Sequence, residues 1–192
     1  MDRLKDLLSE LNADSSVDCI ESTFSKIANI LLFKSYIKSE ENKYRILEIE
    51  FYFKNKNHDD DVTIPRTTDK GMWWLHEWGV DISFNSDEKD YYGGILIRSI
   101  LPLKGNDNKS EVICGPRNCC WELFYSSALE QNTMPQIITN EEQSNYSGEL
   151  GRTKRHITGK KQGISGDYRF YVKNLEIKVS KDYNASPWKI NQ

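Results

Sequence analysis

The stretch YRILEIEFYF, residues 44–53, has the alternation of a β-strand with two different faces. Successive side chains of a strand point to opposite sides of its sheet, so every second residue shares a face. The apolar face carries Leu47, Ile49, Phe51 and Phe53, and the polar face carries Glu48, Glu50 and Tyr52. We expect the apolar face to enter the core and the polar face to line a cleft.

The polar face of this strand is suited to chemistry. Glu48 and Glu50 are two residues apart, which separates them by roughly 7 Å, and the ring of Tyr52 comes next along the strand. A carboxylate that is partly desolvated beside a ring can serve as a general base, or it can stay ionised and stabilise a developing cation. A solvent-exposed strand face is the alternative interpretation of the same pattern.

A second stretch, GGILIRSILPL at residues 93–103, is apolar on both faces apart from Arg98 and Ser99, a pattern typical of the centre of a sheet. A guanidinium buried there needs a carboxylate, because an unpaired buried charge is costly. We therefore expect Arg98 to pair with an acid of a neighbouring strand and to line the same cleft. The candidate acids are Glu48, Glu50 and Asp81. The alternative is that Arg98 lies at a sheet edge.

The remaining patterns predict a mixed order of helices and strands. Apolar spacing predicts helices over residues 2–12 and about 18–30, and Gly115-Pro116 opens a third over about 117–129. Strands are expected at residues 32–37, 44–55, 73–76, 79–84, 94–103, 168–172 and 175–179. Residues 132–166 are rich in turn formers and predict the longest loop region. With no repeat or linker, the pattern predicts one α+β domain over residues 1–192, with residues 1–30 as a helical packing segment.

Composition places the chain among ordinary globular proteins, with 38% hydrophobic and 29% charged residues. No apolar run approaches the roughly 20 residues that cross a bilayer, and the N-terminus lacks a signal-peptide pattern, so we expect no membrane contact. The cysteines, at positions 19, 114, 119 and 120, have neither disulfide-framework nor zinc spacing. We expect reduced thiols and a cytoplasmic monomer.

Charged residues are distributed unevenly along the chain. The formal net charge of −3 argues against non-specific coating of nucleic acid, which depends on many basic residues. Residues 152–173, however, hold seven Lys or Arg residues and one acid, Asp167. This segment predicts either a local positive surface or a solvated loop.

Three other groups of side chains each have two interpretations. The tryptophans of GMWWLHEWG, residues 71–79, would stack on bases if exposed and belong to the core if buried. The His-Asp-Asp-Asp run at residues 58–61 could bind a hard cation, but such runs are usually solvated surface, and we predict no metal site. Cys119 and Cys120 near a helix start are either activated thiols or buried, inert ones.

The run RILEIEFY, residues 45–52, resembles the strand that reads R-I-[VL]-E-T-E-A-Y in the alkyladenine (3-methyladenine) DNA glycosylase family. Four further stretches resemble segments of that family in the same order along the chain. They are residues 65–72, where Pro65-Arg66 and Gly71-Met72 match; GGILIRSILPLKG, residues 93–105; CGPRNCCWELF, residues 114–124; and YRFYV, residues 168–172. The chain is therefore similar to this family over most of its length.

The resemblance implies a single mixed domain in which a curved, mostly antiparallel sheet is surrounded by helices. It implies that Glu50 activates the water that attacks the glycosidic bond, that Tyr52 stacks on a flipped-out base, and that Arg98 lies beside the catalytic acid. Glu50 and Arg98 are thus the predicted catalytic residues. The predicted substrate-binding residues are Tyr52, Glu48, Trp78, Asp81 and Arg66. Neither a metal nor an organic cofactor is required.

A DNA N-glycosylase that removes a modified or damaged base is thus the leading hypothesis, with duplex or single-stranded DNA as its partner. Only residues 73–78 separate Met72 from Gly79, so the family's hairpin with an intercalating tyrosine is shortened, and Trp78 is the candidate to replace it. The short hairpin favours a second hypothesis, a non-catalytic module that binds a nucleobase or nucleic acid on the same scaffold. A third is an interaction protein that uses the tryptophans as a contact surface.

Overall fold

The elements of the fold are taken from a computed structural model that describes residues 2–84, 87, 89–103, 111–125, 134–139, 146–157, 163–175 and 178–179. Its helices are Asp2–Glu10 (α1), Val17–Phe33 (α2) and Pro116–Phe124 (α3). Its strands are Ser35–Ser39 (β1), Asn42–Lys54 (β2), Trp73–His76 (β3), Gly79–Ser83 (β4), Tyr92–Pro102 (β5), Glu111–Cys114 (β6), Gln136–Thr139 (β7), Glu149–Thr153 (β8), Arg169–Lys173 (β9) and Lys178–Val179 (β10).

The strands form a curled, mainly antiparallel sheet whose central path runs β10, β6, β5, β2, β1 and β7. Strand β4 pairs with β5 and with β3, and β9 pairs with β2 and with β8. Among the described strand pairs, only β6 with β10 is parallel. Strand β2 shifts its register against β5 on both sides of Glu48. This irregularity bends β2, so that one edge pairs with β1 near Tyr44 and with β9 near Ile49.

The apolar face of β2 packs into the core, as the alternation of its side chains predicts. Phe24 of α2 stacks on Phe51 of β2 with ring centroids 4.3 Å apart, and Phe84 stacks against both rings. Ser16 caps the N-terminus of helix α2, because its hydroxyl accepts a hydrogen bond from the Cys19 N–H and so satisfies one of the free donors of the first turn. Burial of these rings contributes about 25 cal/mol to the free energy of unfolding for each Å² of apolar area removed from water.

The mixed α+β class is confirmed, but some predicted boundaries are wrong. The strand expected at residues 32–37 begins only at Ser35, because α2 continues through Phe33. The loop region expected at residues 132–166 contains β7 and β8. Both strands are short: β7 has four residues and pairs with the distant β1, and β8 has five residues and pairs with β9, the next strand along the chain. Such short stretches show too little alternation to reveal a strand. Strand β6, which is four residues long and pairs with the preceding strand β5, has no counterpart among the predicted strands.

Some predicted elements extend past the part of the chain that the structure describes. Residues 126–129 of the third helix lie outside it, as do residues 176–177 of the last strand. The described helix α3 has a proline in its first turn, as predicted. None of the described helices combines the length and the apolar character that a membrane span requires.

Burial corrects two surface predictions. Asp60, within the acidic run at residues 58–61, has 0% exposure, so the solvated-surface interpretation is wrong for this residue. Arg155 and Arg169, within the basic segment 152–173, are buried in ion pairs and add little to a positive surface. Within the described ranges, no cluster of His, Cys, Asp and Glu has the geometry to hold a metal ion.

None of the four cysteines, all of which lie in the described ranges, forms a disulfide. Cys119 is fully buried in α3, and burial raises the pKa of its thiol well above the ordinary value. Burial also raises the pKa of Cys120. A protonated thiol is a poor nucleophile, so the activated-thiol interpretation of this pair is wrong.

Candidate functional site

A cavity of about 680 Å³ lies between β2, β5, the β3–β4 hairpin and the first turn of α3. Its aromatic residues are Tyr52, Trp74, His76, Trp78 and His156. Its charged and amide side chains are Arg66, Asp81, Arg98, Arg117 and Asn118. This volume, aromatic walls and a few converging polar groups are typical of a site for a small, flat ligand.

Glu50 of β2 lies directly behind the cavity wall and has 0% exposure. Arg98 of β5 donates from Nη1 to Glu50 Oε2 at 3.0 Å, so the predicted pairing of Arg98 with a neighbouring carboxylate is confirmed. The Tyr52 hydroxyl donates to the same oxygen at 2.8 Å, and the His156 N–H donates to Oε1 at 2.8 Å. Both carboxylate oxygens of Glu50 therefore accept hydrogen bonds. The interpretation of the polar face of β2 as solvent-exposed is wrong.

Glu48 forms the deeper half of the same cluster. Arg98 Nε donates to Glu48 Oε1 at 3.2 Å, and the Ser99 hydroxyl donates to Oε2 at 2.5 Å. Arg169 of β9 also donates to Glu48, a contact that the sequence did not predict. Its Nε lies 3.9 Å from Glu50. The negative charges of Glu48 and Glu50 are thus compensated by the positive charges of Arg98 and Arg169 at the bend of β2. Charges that are buried together need such pairing.

Tyr52 joins this buried cluster to the cavity, since its ring borders the cavity and its hydroxyl reaches Glu50. Burial raises the pKa of the Tyr52 hydroxyl well above its usual value, and the adjacent Glu50 carboxylate raises it further. The hydroxyl consequently stays protonated and remains a hydrogen-bond donor. This geometry fixes the ring beside the acid, as the i, i+2 spacing predicts.

Among the contacts described, Arg98 pairs with two of its three candidate acids, Glu48 and Glu50, and not with Asp81 of β4. Asp81 instead accepts from Arg66 Nε at 2.9 Å, and a second Arg66 nitrogen contacts the same oxygen. His76 Nε2 lies 3.2 Å from the other oxygen. Burial alone would raise the pKa of Asp81, but the Arg66 charge and then His76 outweigh it and lower that pKa. Asp81 is therefore ionised and holds Arg66 at the cavity wall.

A further ion pair, between Arg155 and Asp60, was not predicted. Arg155 Nη1 and Nη2 donate to the two Asp60 oxygens at 2.6 and 2.9 Å, and Nη1 also donates to the Phe51 carbonyl at 3.1 Å. Burial would lower the pKa of Arg155, but Asp60 raises it overall. The guanidinium lies over the Tyr52 ring at 4.7 Å. The sequence indicated this ion pair only through the acidic run at residues 58–61 and the basic segment at residues 152–173. Either stretch could equally have been solvated surface.

The tryptophans divide between the core and the cavity rim. Trp73 packs edge-to-face on Phe124 with centroids 5.7 Å apart, and its Nε1 donates to the Pro135 carbonyl at 2.6 Å. Trp78 is 51% exposed in the two-residue turn between β3 and β4. Gly79 follows it at φ 152°, and a Cβ there would lie 2.8 Å from the Cβ of Pro116. Glycine thus lets the hairpin tip rest on the start of α3.

The structure brings most of the predicted site residues to one cavity. The predicted residues that border it are Tyr52, Arg66, Trp78, Asp81 and Arg98. Glu48 and Glu50 do not border it and lie behind Arg98 and Tyr52. The cavity residues that sequence reasoning missed include His76, Arg117 and His156. Nothing in a single strand or turn marks them, because they come together only through the hairpin and α3.

His58, the candidate cation ligand, is instead a core residue with 0% exposure. Its Nδ1 lies 2.7 Å from the Phe53 carbonyl, and its Nε2 has no hydrogen-bond partner among the described residues. Burial lowers the pKa of His58 despite the hydrogen bond to Phe53. In the folded state the His58 side chain is therefore a neutral imidazole that is buried between aromatic rings.

Acidification is expected to destabilise the protein through His58. Its pKa is lower in the folded than in the unfolded chain, so its neutral form supports folding above the unfolded value of about 6.5, and this support is lost as pH falls further. His58→Asn keeps a nitrogen donor for the Phe53 carbonyl but cannot titrate. Urea unfolding from about pH 7 to about pH 5 should show a smaller loss of stability for the variant than for the wild type. Parallel curves for the two proteins would contradict this.

Fold and site together define a mixed α+β domain with an aromatic cavity above a buried cluster of carboxylates and guanidinium groups. No family model matches the chain. The chain is similar to an uncharacterised protein of Acanthamoeba polyphaga mimivirus, with 29% identity over 133 residues. The match covers 56% of this chain and 59% of the mimivirus protein, so it spans less than two thirds of that relative's length.

Proposed function

We propose that this chain is a DNA N-glycosylase-like hydrolase that accepts a flipped-out modified or damaged base and cleaves its bond to the sugar. One observation carries the proposal. Tyr52, whose ring borders the cavity, donates to Glu50 at 2.8 Å, and Arg98, which also borders the cavity, donates to the same oxygen at 3.0 Å. A ring that can stack on a base is thus joined by a hydrogen bond to an oriented acid directly behind the cavity wall.

Glu50 is the general base in this proposal. It takes a proton from a water molecule, whose oxygen bonds to the sugar carbon C1′ while the electron pair of the glycosidic C–N bond leaves with the base. Arg98 and the His156 N–H donate to the two carboxylate oxygens and orient the carboxylate. The Tyr52 ring provides the surface on which the base stacks.

The alkyladenine DNA glycosylase fold is the finer classification that we propose. In support of it, all five stretches that resemble this family lie around the cavity or the cluster behind it. They contribute β2, the segment with Arg66, β5, α3 and β9. Duplex or single-stranded DNA is the proposed partner, bound by the rim of the cavity.

A second candidate function, a nucleobase-binding module without cleavage, has one observation in its favour. Glu50 has 0% exposure, and both of its oxygens already accept hydrogen bonds. A general base must reach a water molecule directly, and hydrogen bonds of a catalytic group often rearrange only when the substrate binds. The module requires no such rearrangement.

One experiment separates the two functions. The protein is incubated with a panel of oligonucleotides, each with one oxidised, deaminated or alkylated base, in duplex and single-stranded form. Released base is measured by mass spectrometry, and binding is measured by tryptophan fluorescence at two salt concentrations. We expect free base from at least one oligonucleotide. Binding without release would establish the module instead, and neither binding nor release would contradict both.

A further inference from the structure

Both aromatic walls of the cavity carry a guanidinium group. The Arg155 Cζ lies 4.7 Å from the centroid of the Tyr52 ring. The Arg66 Cζ lies 5.8 Å from the Tyr52 centroid and 5.2 Å from that of Trp74. Arg155 covers Tyr52 without bordering the cavity, whereas Arg66 borders it. The rings on which a ligand would stack are therefore already engaged with cations.

Carboxylates fix these guanidinium groups in place. Asp60 binds both terminal nitrogens of Arg155, at 2.6 and 2.9 Å. Asp81 binds Arg66 Nε at 2.9 Å and lies 3.2 Å from His76 Nε2. Asp81 is the one acid that borders the cavity among the residues whose positions are described. A cationic ligand would therefore meet a carboxylate that is already in contact with two side chains, Arg66 and His76.

These contacts change what each ring attracts. The face of an aromatic ring draws a cation through its quadrupole, and a ring that already binds one guanidinium offers less to a second cation. Two like charges on either side of one ring also repel each other. Neither the weakened attraction nor the repulsion affects an uncharged ligand. Such a ligand stacks by its apolar surface, and its acceptor atoms suit guanidinium donors.

We infer that the cavity selects uncharged planar heterocycles that carry hydrogen-bond acceptors, and that it discriminates against cationic rings of the same shape. The inference rests on the proposed function and names its substrate class. A base altered by oxidation or deamination, which stays uncharged, fits this cavity. A base that alkylation of a ring nitrogen has made cationic does not.

Two isosteric bases test this selection directly. The first is 7-methyladenine, which is cationic in a nucleotide, and the second is 7-methyl-7-deazaadenine, which has the same outline and no charge. Each is placed in the same oligonucleotide on a 2′-fluoro sugar, which slows cleavage so that binding is measured alone. We expect the wild type to bind the neutral isostere at least about fivefold more tightly by tryptophan fluorescence, within the range of a cation–π contact.

The double variant Asp60→Asn with Arg155→Met removes the cation behind Tyr52 together with its partner. The ratio of the two affinities should then shift toward the cationic base by about threefold or more. Lys154→Met is the matched control, because it removes one exposed positive charge next to Arg155 in the chain. The control should keep the wild-type ratio.

The outcomes are distinguishable. Equal or tighter binding of the cationic base by the wild type would overturn the inference and leave the proposed function standing. Binding of neither oligonucleotide would overturn the proposed function and the inference with it. If the double variant does not fold, the wild-type comparison decides alone.

Discussion

Glu50→Gln is expected to lower the rate of base release by about 10²–10⁴-fold, the contribution of a positioned general base. The amide has the shape of the carboxylate but cannot take the proton of an attacking water. It also turns an NH₂ group toward donors that now serve Glu50, so we expect about 1–3 kcal/mol of lost stability as well. Single-turnover kinetics, with urea unfolding of the same samples, measures both effects.

Glu48→Gln is the matched control for this experiment. Glu48 lies on the same strand, is equally buried and contacts the same Arg98, but it makes no hydrogen bond to Tyr52 among those described. We expect a similar loss of stability with a much smaller loss of rate. A Glu50→Gln protein that releases base at the wild-type rate would remove Glu50 from the mechanism.

Arg98→Met is expected to lower the free energy of unfolding by about 3 kcal/mol, near the lower end of the cost of breaking a buried ion pair. Methionine fills much of the same volume but leaves Glu48 and Glu50 with less positive charge nearby. The cost stays at the lower end because Arg169 still contacts Glu48 and lies 3.9 Å from Glu50. Chemical denaturation at neutral pH measures it.

The origin of this cost can be isolated by a second substitution. If it reflects an uncompensated charge, Arg98→Met should cost less in a Glu50→Gln background, because one of the two carboxylates has been removed. Lys26→Met provides the surface reference, since Lys26 makes an exposed 3.8 Å ion pair whose loss should cost about 0–1 kcal/mol. Equal losses for Arg98→Met and Lys26→Met would contradict the role assigned to Arg98.

Local patterns predicted the elements that form the site better than the elements around it. Strand β5 was predicted to be central because it is apolar on both faces, and it pairs with β2, β4 and β6. Strands β7 and β8 were missed because each is short, and β7 also depends on β1, a partner far away in the chain. The burial of the polar face of β2 was likewise not predictable, since the Arg169 side chain and the segment around His156 contact its carboxylates.

The sequence by itself determined which side of β2 is apolar, which strand is central, and that Arg98 needs a carboxylate. These conclusions depend on a period of two along one strand and on the cost of an unpaired charge, and both are properties of a short segment. Only the tertiary structure decided that Arg155 meets Asp60, 95 residues away, and that Arg169 meets Glu48, 121 residues away. Such pairings depend on strand register and on segments that fold over the sheet, which no single stretch of sequence specifies.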